Sequence, residues 1–210
     1  MKTLLDQLRP ALLDPQAESL AGQVQWWNLP GLGVDDPFPV AVLGQGFPLL
    51  LLHGFDSSFL EYRRLAPLLD KRFQLFIPDL FGFGFSPRPL GLNYGPEPVL
   101  RHLDALLKRL PTEAPVGLIG ASMGGSVAVE LAQRHSERVT SLLLLAPAGL
   151  TGRPMPVPPC WIVLGPGSWV VPACGGGFVA RLSLIPMRMW VLRKSKSPRC
   201  TCNAPAGRRP

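Results

Sequence analysis

Residues 116–134, VGLIGASMGGSVAVELAQR, constrain this chain more than any other stretch. A short apolar run leads into Gly120-Ala121-Ser122-Met123-Gly124, and an amphipathic run follows. That order predicts a strand, a sharp turn and a helix. Gly120 and Gly124 lack a Cβ, so strand and helix can pass close on either side of Ser122. Such a turn lifts the Ser122 hydroxyl above the sheet edge. It also aims the helix N-terminus at the same spot, where the Met123 N–H and the helix dipole can meet developing negative charge. Gly-x-Ser-x-Gly alone is a weak pattern; in a strand–turn–helix context it marks a serine nucleophile.

The neighbouring segments predict the setting. Residues 49–52 are four leucines without polar alternation, which suits a strand buried on both faces. His53-Gly54-Phe55 follows it. A loop there can place the Phe55 N–H opposite that of Met123, and two converging N–H donors form an oxyanion hole. His53 reads as a residue that shapes the loop rather than one that moves protons.

Further strands are expected at 40–43, 73–77 and 139–145, with Gly44-Gln45-Gly46 turning the chain between the first of these and residues 48–52. Helices are expected over 3–20, limited by Pro10 and Pro15, and over 97–109. Ser58 with Glu61 three residues on predicts a capping box heading an amphipathic helix to residue 69. Residues 29–39 read as loop. Strands alternating with helices imply an α/β fold with a mostly parallel sheet covered on both faces.

Three motifs in order, His-Gly-Phe at 53–55, PDLFGFGFS at 78–86 and GASMGG at 120–125, resemble the α/β-hydrolase fold family. The likeness is to the branch with a His-Gly-x oxyanion loop, which includes esterases, thioesterases, C–C bond hydrolases and prolyl-aminopeptidase-like enzymes. It covers roughly residues 40–152. It implies a serine hydrolase for an ester, thioester or similar carbonyl substrate bearing an apolar group. Ser122 would be the nucleophile, Phe55 and Met123 N–H the oxyanion hole, and His53, Gly54, Gly120 and Gly124 the motif support. The chemistry requires no metal and no organic cofactor. In such enzymes the Asp79 segment is structural, and Ser86 within it is a turn residue. Serine at the elbow argues against haloalkane dehalogenases and epoxide hydrolases, which differ by having aspartate there.

The family's order of catalytic residues is Ser, then Asp or Glu, then His. Here the last histidine is His135 and the last acidic residue is Glu137. Both fall near the far end of the helix that Ser122 begins, so His135 cannot serve as base. His102, on another helix, reads as a surface residue. Without a base a serine hydroxyl is a poor nucleophile at pH 7, so little or no turnover is expected from this chain.

Composition divides the chain at the same place. Residues 1–153 hold all 14 Asp and Glu and 13 of the 21 Lys and Arg, a net of −1; residues 154–210 hold eight Lys and Arg and no acid. The organisation is therefore an N-terminal helix and loop (1–39), the first part of a hydrolase core (40–152) and an irregular basic tail (153–210). Loss of all acids and of periodicity in the tail suggests a shifted reading frame. With no strand after residue 145, the outer sheet edge would be bare and prone to aggregation. The tail contains every cysteine, Cys160, Cys174, Cys200 and Cys202, without the spacing of a zinc site. Its uncharged stretch 154–180 is broken by prolines and glycines, against a membrane span. Its basic residues lie in no recognised nucleic-acid-binding fold. The expected partner is thus a small-molecule substrate, with neither nucleic acid nor membrane. Asp6 interrupts the N-terminal apolar residues, so no signal peptide is read and the cytoplasm is expected. The competing readings are a non-catalytic binding protein of the same fold and a membrane-associated protein using its tail.

Overall fold

The computed structural model describes residues 4–149 and, of the remainder, two strands at 183–185 and 189–193. The four cysteines and the uncharged stretch 154–180 lie outside the described residues. The order of elements is α1 (Leu4–Leu8), α2 (Pro15–Ala21), β1 (Val24–Trp27), β2 (Phe38–Leu43), β3 (Phe47–Leu52), a 3-10 segment (Phe59–Arg64), α3 (Ala66–Leu69), β4 (Phe73–Pro78), α4 (Pro96–Arg109), β5 (Val116–Ala121), α5 (Met123–Arg134), β6 (Val139–Leu145), β7 (Ser183–Ile185) and β8 (Met189–Arg193).

The strands form one sheet in the order β1-β2-β4-β3-β5-β6-β8-β7. Its centre is parallel: β3 pairs with β4 and β5, and β5 with β6. The two ends are antiparallel. Strand side chains alternate between faces, so the sheet splits the core in two. Leu50, Leu52, Phe76, Val116 and Leu118 pack with α4 and α5 on one side. Leu49, Leu51, Leu75, Ile77 and Ile119 pack on the other, with α1, α2 and the 3-10 segment. Central strands covered on both faces account for the unbroken leucines of β3.

Several expectations are corrected. The Gly44–Gly46 turn exists, with positive φ at Gly44 and Gly46, but β2 and β3 are not neighbours, because β4 lies between them. The helix expected over 3–20 is broken at the prolines into α1, a 3-10 turn at Arg9–Ala11 and α2. The helix expected up to residue 69 is a 3-10 segment followed by the four-residue α3. Ser58 does cap that segment, accepting from the Leu60 N–H at 3.3 Å. The Glu61 carboxylate does not complete a capping box; it accepts from the Gly54 N–H at 2.8 Å instead. The strand β1 was not foreseen. Nor was β8, which pairs with β6 over Ser141–Leu145, so β6 is not the sheet edge. Among the described residues no helix is long and apolar enough to cross a membrane.

His102 is the clearest reversal: it is fully buried, not on the surface. Its ring lies 4.7 Å from that of Phe38 and 6.3 Å from that of Phe81, centroid to centroid. The period of α4 explains this, since His102 falls on the face of Val99, Leu103 and Leu106, all buried.

Candidate active site

Ser122 sits between β5 and α5 and is exposed. Its φ of 49° with ψ of −118° is a conformation that a residue with a side chain rarely adopts, at a cost of about 1–3 kcal/mol. What holds it there is main chain. The Ser122 N–H donates to the Leu145 carbonyl at 3.0 Å, and the Ser122 carbonyl accepts from Gly125 at 3.0 Å and Ala148 at 2.9 Å. Leu145, which ends β6, and Ala148 just beyond it thus grip the turn from both sides. Close approach does the rest. A Cβ on Gly120 would overlap the Gly124 carbonyl, and one on Gly124 would overlap the carbonyls of Leu52 and His53. Met123 begins α5, where the first N–H groups have no acceptor within the helix.

The loop after β3 is built from side chains. His53 is fully buried. Its Nε2 accepts from the Leu80 N–H at 2.9 Å, so the proton is on Nδ1, which donates to the Gly54 carbonyl at 2.7 Å. Burial holds the His53 ring below its ordinary pKa, with the Gly54 carbonyl and the Glu61 charge pulling the other way. A peptide group is planar and trans, so a Gly54 carbonyl aimed at the His53 ring turns the Phe55 N–H away from that ring. The loop also touches the turn: a Cβ on Gly54 would lie 3.3 Å from the Cβ of Ser122. The residues proposed from sequence, 53–55 and 120–124, are therefore brought together.

Two further residues anchor both strands. The buried Tyr62 hydroxyl donates to the Leu52 carbonyl at 2.8 Å and lies 3.5 Å from the Ile119 carbonyl. Leu52 ends β3 and Ile119 lies two residues before the end of β5, the strands that carry the loop and the turn. Burial raises the Tyr62 phenol's pKa, so it remains a donor. Asp79 is fully buried, and its two carboxylate oxygens accept from the Phe59 and Phe85 N–H groups, each at 2.6 Å. Burial pushes the Asp79 carboxyl up to about 7, while those two amides and Arg88 pull it down. Ser86 donates its hydroxyl to the Asp79 carbonyl at 3.1 Å, a turn-stabilising bond.

His135 caps the far end of α5, which spans 12 residues, and its Nε2 lies 2.6 Å from Asp104. At ~1.5 Å per residue it is about 20 Å along the helix from Ser122.

A family model described as the α/β hydrolase fold matches residues 48–193. The chain belongs to that family. It is 37% identical over 111 residues to 2-hydroxymuconate semialdehyde hydrolase of Pseudomonas sp. (strain CF600), covering 51% of this chain and 39% of that protein. It is 36% identical over 111 residues to lipase 1 of Psychrobacter immobilis, covering 53% and 35%. Among solved structures it is similar to a meta-cleavage product hydrolase of Pseudomonas fluorescens IP01, at 31% identity and a TM-score of 0.54, covering 60% and 46%. The matches to these two curated relatives thus span well under half of each relative's length.

Within this α/β hydrolase core the mouth of the site is aromatic. Phe55, 51% exposed, meets Phe83 edge to face at 5.5 Å, and Phe83 also meets His53 at 6.0 Å. A cleft of about 550 Å³ opens nearby, lined by residues including Asp56, Ser58, Glu61, Phe85 and Arg88. Glu61 and Tyr62 were missed as parts of the site. Glu61 was read as half of a capping box, and nothing in its spacing points to Gly54.

Proposed function

We propose that this chain is the first part of a serine hydrolase for an ester, thioester or similar carbonyl substrate with an apolar group. Ser122 is the nucleophile, and the N–H groups of Phe55 and Met123 receive the oxyanion. The observation that carries this reading is the exposed, left-handed Ser122 gripped at a strand–helix turn beside the His53–Phe55 loop. The aromatic pair Phe55 and Phe83 supports the apolar group. A 2-hydroxymuconate semialdehyde hydrolase and a lipase among the similar proteins agree with carbonyl chemistry.

In the reaction, the Ser122 oxygen adds to the carbonyl carbon, its proton leaves, and the carbonyl oxygen takes up charge between the two amides. A base must accept that proton. No histidine follows His135 in this sequence, so we expect the chain alone to bind and to react slowly with activated probes, without sustained turnover. Removal of the triad histidine in subtilisin, a handful of atoms, costs on the order of 10⁶ in kcat. The tail's missing acids support our further reading that 153–210 come from a shifted frame. Sequencing the coding DNA past codon 145 decides that point: a slip restoring a late acid and histidine supports it, and a sound frame rejects it.

The test of the active site is a fluorophosphonate probe. Slow labelling that Ser122→Ala abolishes is the expected result. Absence of Ser122-dependent labelling would favour a non-catalytic binding protein of the same fold.

A further inference from the structure

We infer that Glu61 is a positioning residue for the oxyanion-hole loop, with Tyr62 setting the distance between that loop and the serine turn. The inference rests on the reading of Ser122 given above, but its evidence is separate. Gly54 is flanked by two peptide groups, and each is held by a different side chain. The N–H on its first peptide donates to the Glu61 carboxylate at 2.8 Å. The carbonyl on its second peptide accepts from the His53 ring at 2.7 Å. With both planes held, the direction of the Phe55 N–H is set. Gly54 itself has little to hold it otherwise, since glycine is the most permissive residue in the chain.

Tyr62 is the next residue of the same 3-10 segment. Its hydroxyl reaches the carbonyls of Leu52 and Ile119. Leu52 immediately precedes the loop, and Ile119 lies in the last part of β5, three residues before Ser122. One short segment therefore touches the loop's amide, the end of β3 and the last part of β5. Asp79 holds the start of that segment through the Phe59 N–H. Oxyanion holes act through preorganised donors, and a misplacement of about 1 Å can cost about a hundredfold. A carboxylate in this place does no proton transfer in our reading. Its role is to accept one hydrogen bond, which an amide oxygen can also do.

The test uses the full chain, ¹⁵N-labelled, titrated with phenylboronic acid. The boron adds to the Ser122 oxygen, the hydroxyl proton passes to solvent, and a negatively charged tetrahedral adduct occupies the hole. Ser122→Ala should abolish this binding. Glu61→Ala should weaken it about ten- to hundredfold with an unchanged circular dichroism spectrum. Glu61→Gln should return it to within about threefold of the parent, because its side-chain oxygen still accepts from Gly54. Tyr62→Phe should fall between the two. Parent-like binding by Glu61→Ala overturns the inference. So does a Glu61→Gln protein as weak as Glu61→Ala, which would make charge the cause rather than position. If parent and Ser122→Ala bind the boronate alike, the Ser122 reading fails, and the positioning role is then read from amide exchange. Glu61→Ala should speed exchange at Gly54 at least about tenfold relative to Leu80, which His53 holds. Equal exchange rates in Glu61→Ala and the parent overturn it.

Discussion

The two halves of the site are built by opposite means. The serine turn is held by main chain: hydrogen bonds with Leu145 and Ala148, and glycines that let three backbones meet. The facing loop is held by side chains, with His53, Glu61 and Asp79 each holding one or two amides or carbonyls. The difference has a consequence for substitution. A backbone contact has no slack, because an added Cβ meets carbonyl atoms that the sheet itself holds. A side-chain contact can be lost one bond at a time. The turn should therefore fail abruptly and the loop gradually.

The sharpest attempt to break this comparison is Gly124→Ala. Its methyl group would overlap the Leu52 and His53 carbonyls at the end of β3. Overpacking of a closed site costs typically 1–3 kcal/mol, and here the neighbours are backbone, so we expect a loss of about 3 kcal/mol or more. Urea denaturation reads it. A parent-like midpoint would show that α5 can shift away from β3, and the turn would then be as adaptable as the loop.

Asp79 is the middle case, because one carboxylate ties together the 3-10 segment and the loop at Phe85. Asp79→Ala leaves two buried amides without their acceptor and should cost about 2–4 kcal/mol. Titration sharpens the point. Burial raises the carboxyl's pKa from the ordinary 3.8 to about 7, so between those values the folded state binds the extra proton. Stability from this group is then present below pH 4, falls as pH rises toward 7, and levels off above. Asp79→Asn does not titrate. Its stability deficit against the parent should therefore shrink as the pH is raised from 4.5 to 7.5 in paired urea melts. A deficit that stays flat over that range would mean that the two amides hold the carboxyl ionised throughout.

The same contrast governs what could be read from the sequence. The turn was legible because the residues that build it, apart from Leu145 and Ala148, lie within 116–125, and glycine spacing records a steric need directly. The strands β2 to β6 and the helices α4 and α5 were legible for a similar reason, since their periods are local. The supports of the loop were not. Glu61 acts on a residue seven positions away, Tyr62 on Ile119, and Asp79 on Phe59. Their partners are chosen by the fold. Glu61 was even misassigned, because three-residue spacing from Ser58 fits a local motif that the long-range bond to Gly54 displaces. The sheet order was hidden similarly. Nothing local says that β4 inserts between β2 and β3, or that residues 189–193 return beside β6.

The smallest effect concerns His102, at the foot of the side-chain-built half. It packs on Phe81, whose neighbour Leu80 donates to His53. Neither ring nitrogen of His102 has a hydrogen-bond partner among the described residues, although the residue is fully buried. An unpaired buried polar atom costs about 1–3 kcal/mol, and the ring's contact with Phe38 offsets part of that. His102→Leu should therefore gain about 1 kcal/mol at pH 7. Burial, helped by the charge His53 would carry, pushes the His102 ring down to about 3 from 6.5. Stability that depends on the neutral ring is thus complete above pH 6.5 and is lost as the pH falls below it. The leucine variant lacks this loss, so its advantage should widen between pH 7 and pH 5. A variant weaker than the parent at both pH values would mean that the stack on Phe38 and Phe81 outweighs the two unpaired nitrogens. The ring would then be a working part of the wall behind His53, and the loop would depend on packing as well as on hydrogen bonds.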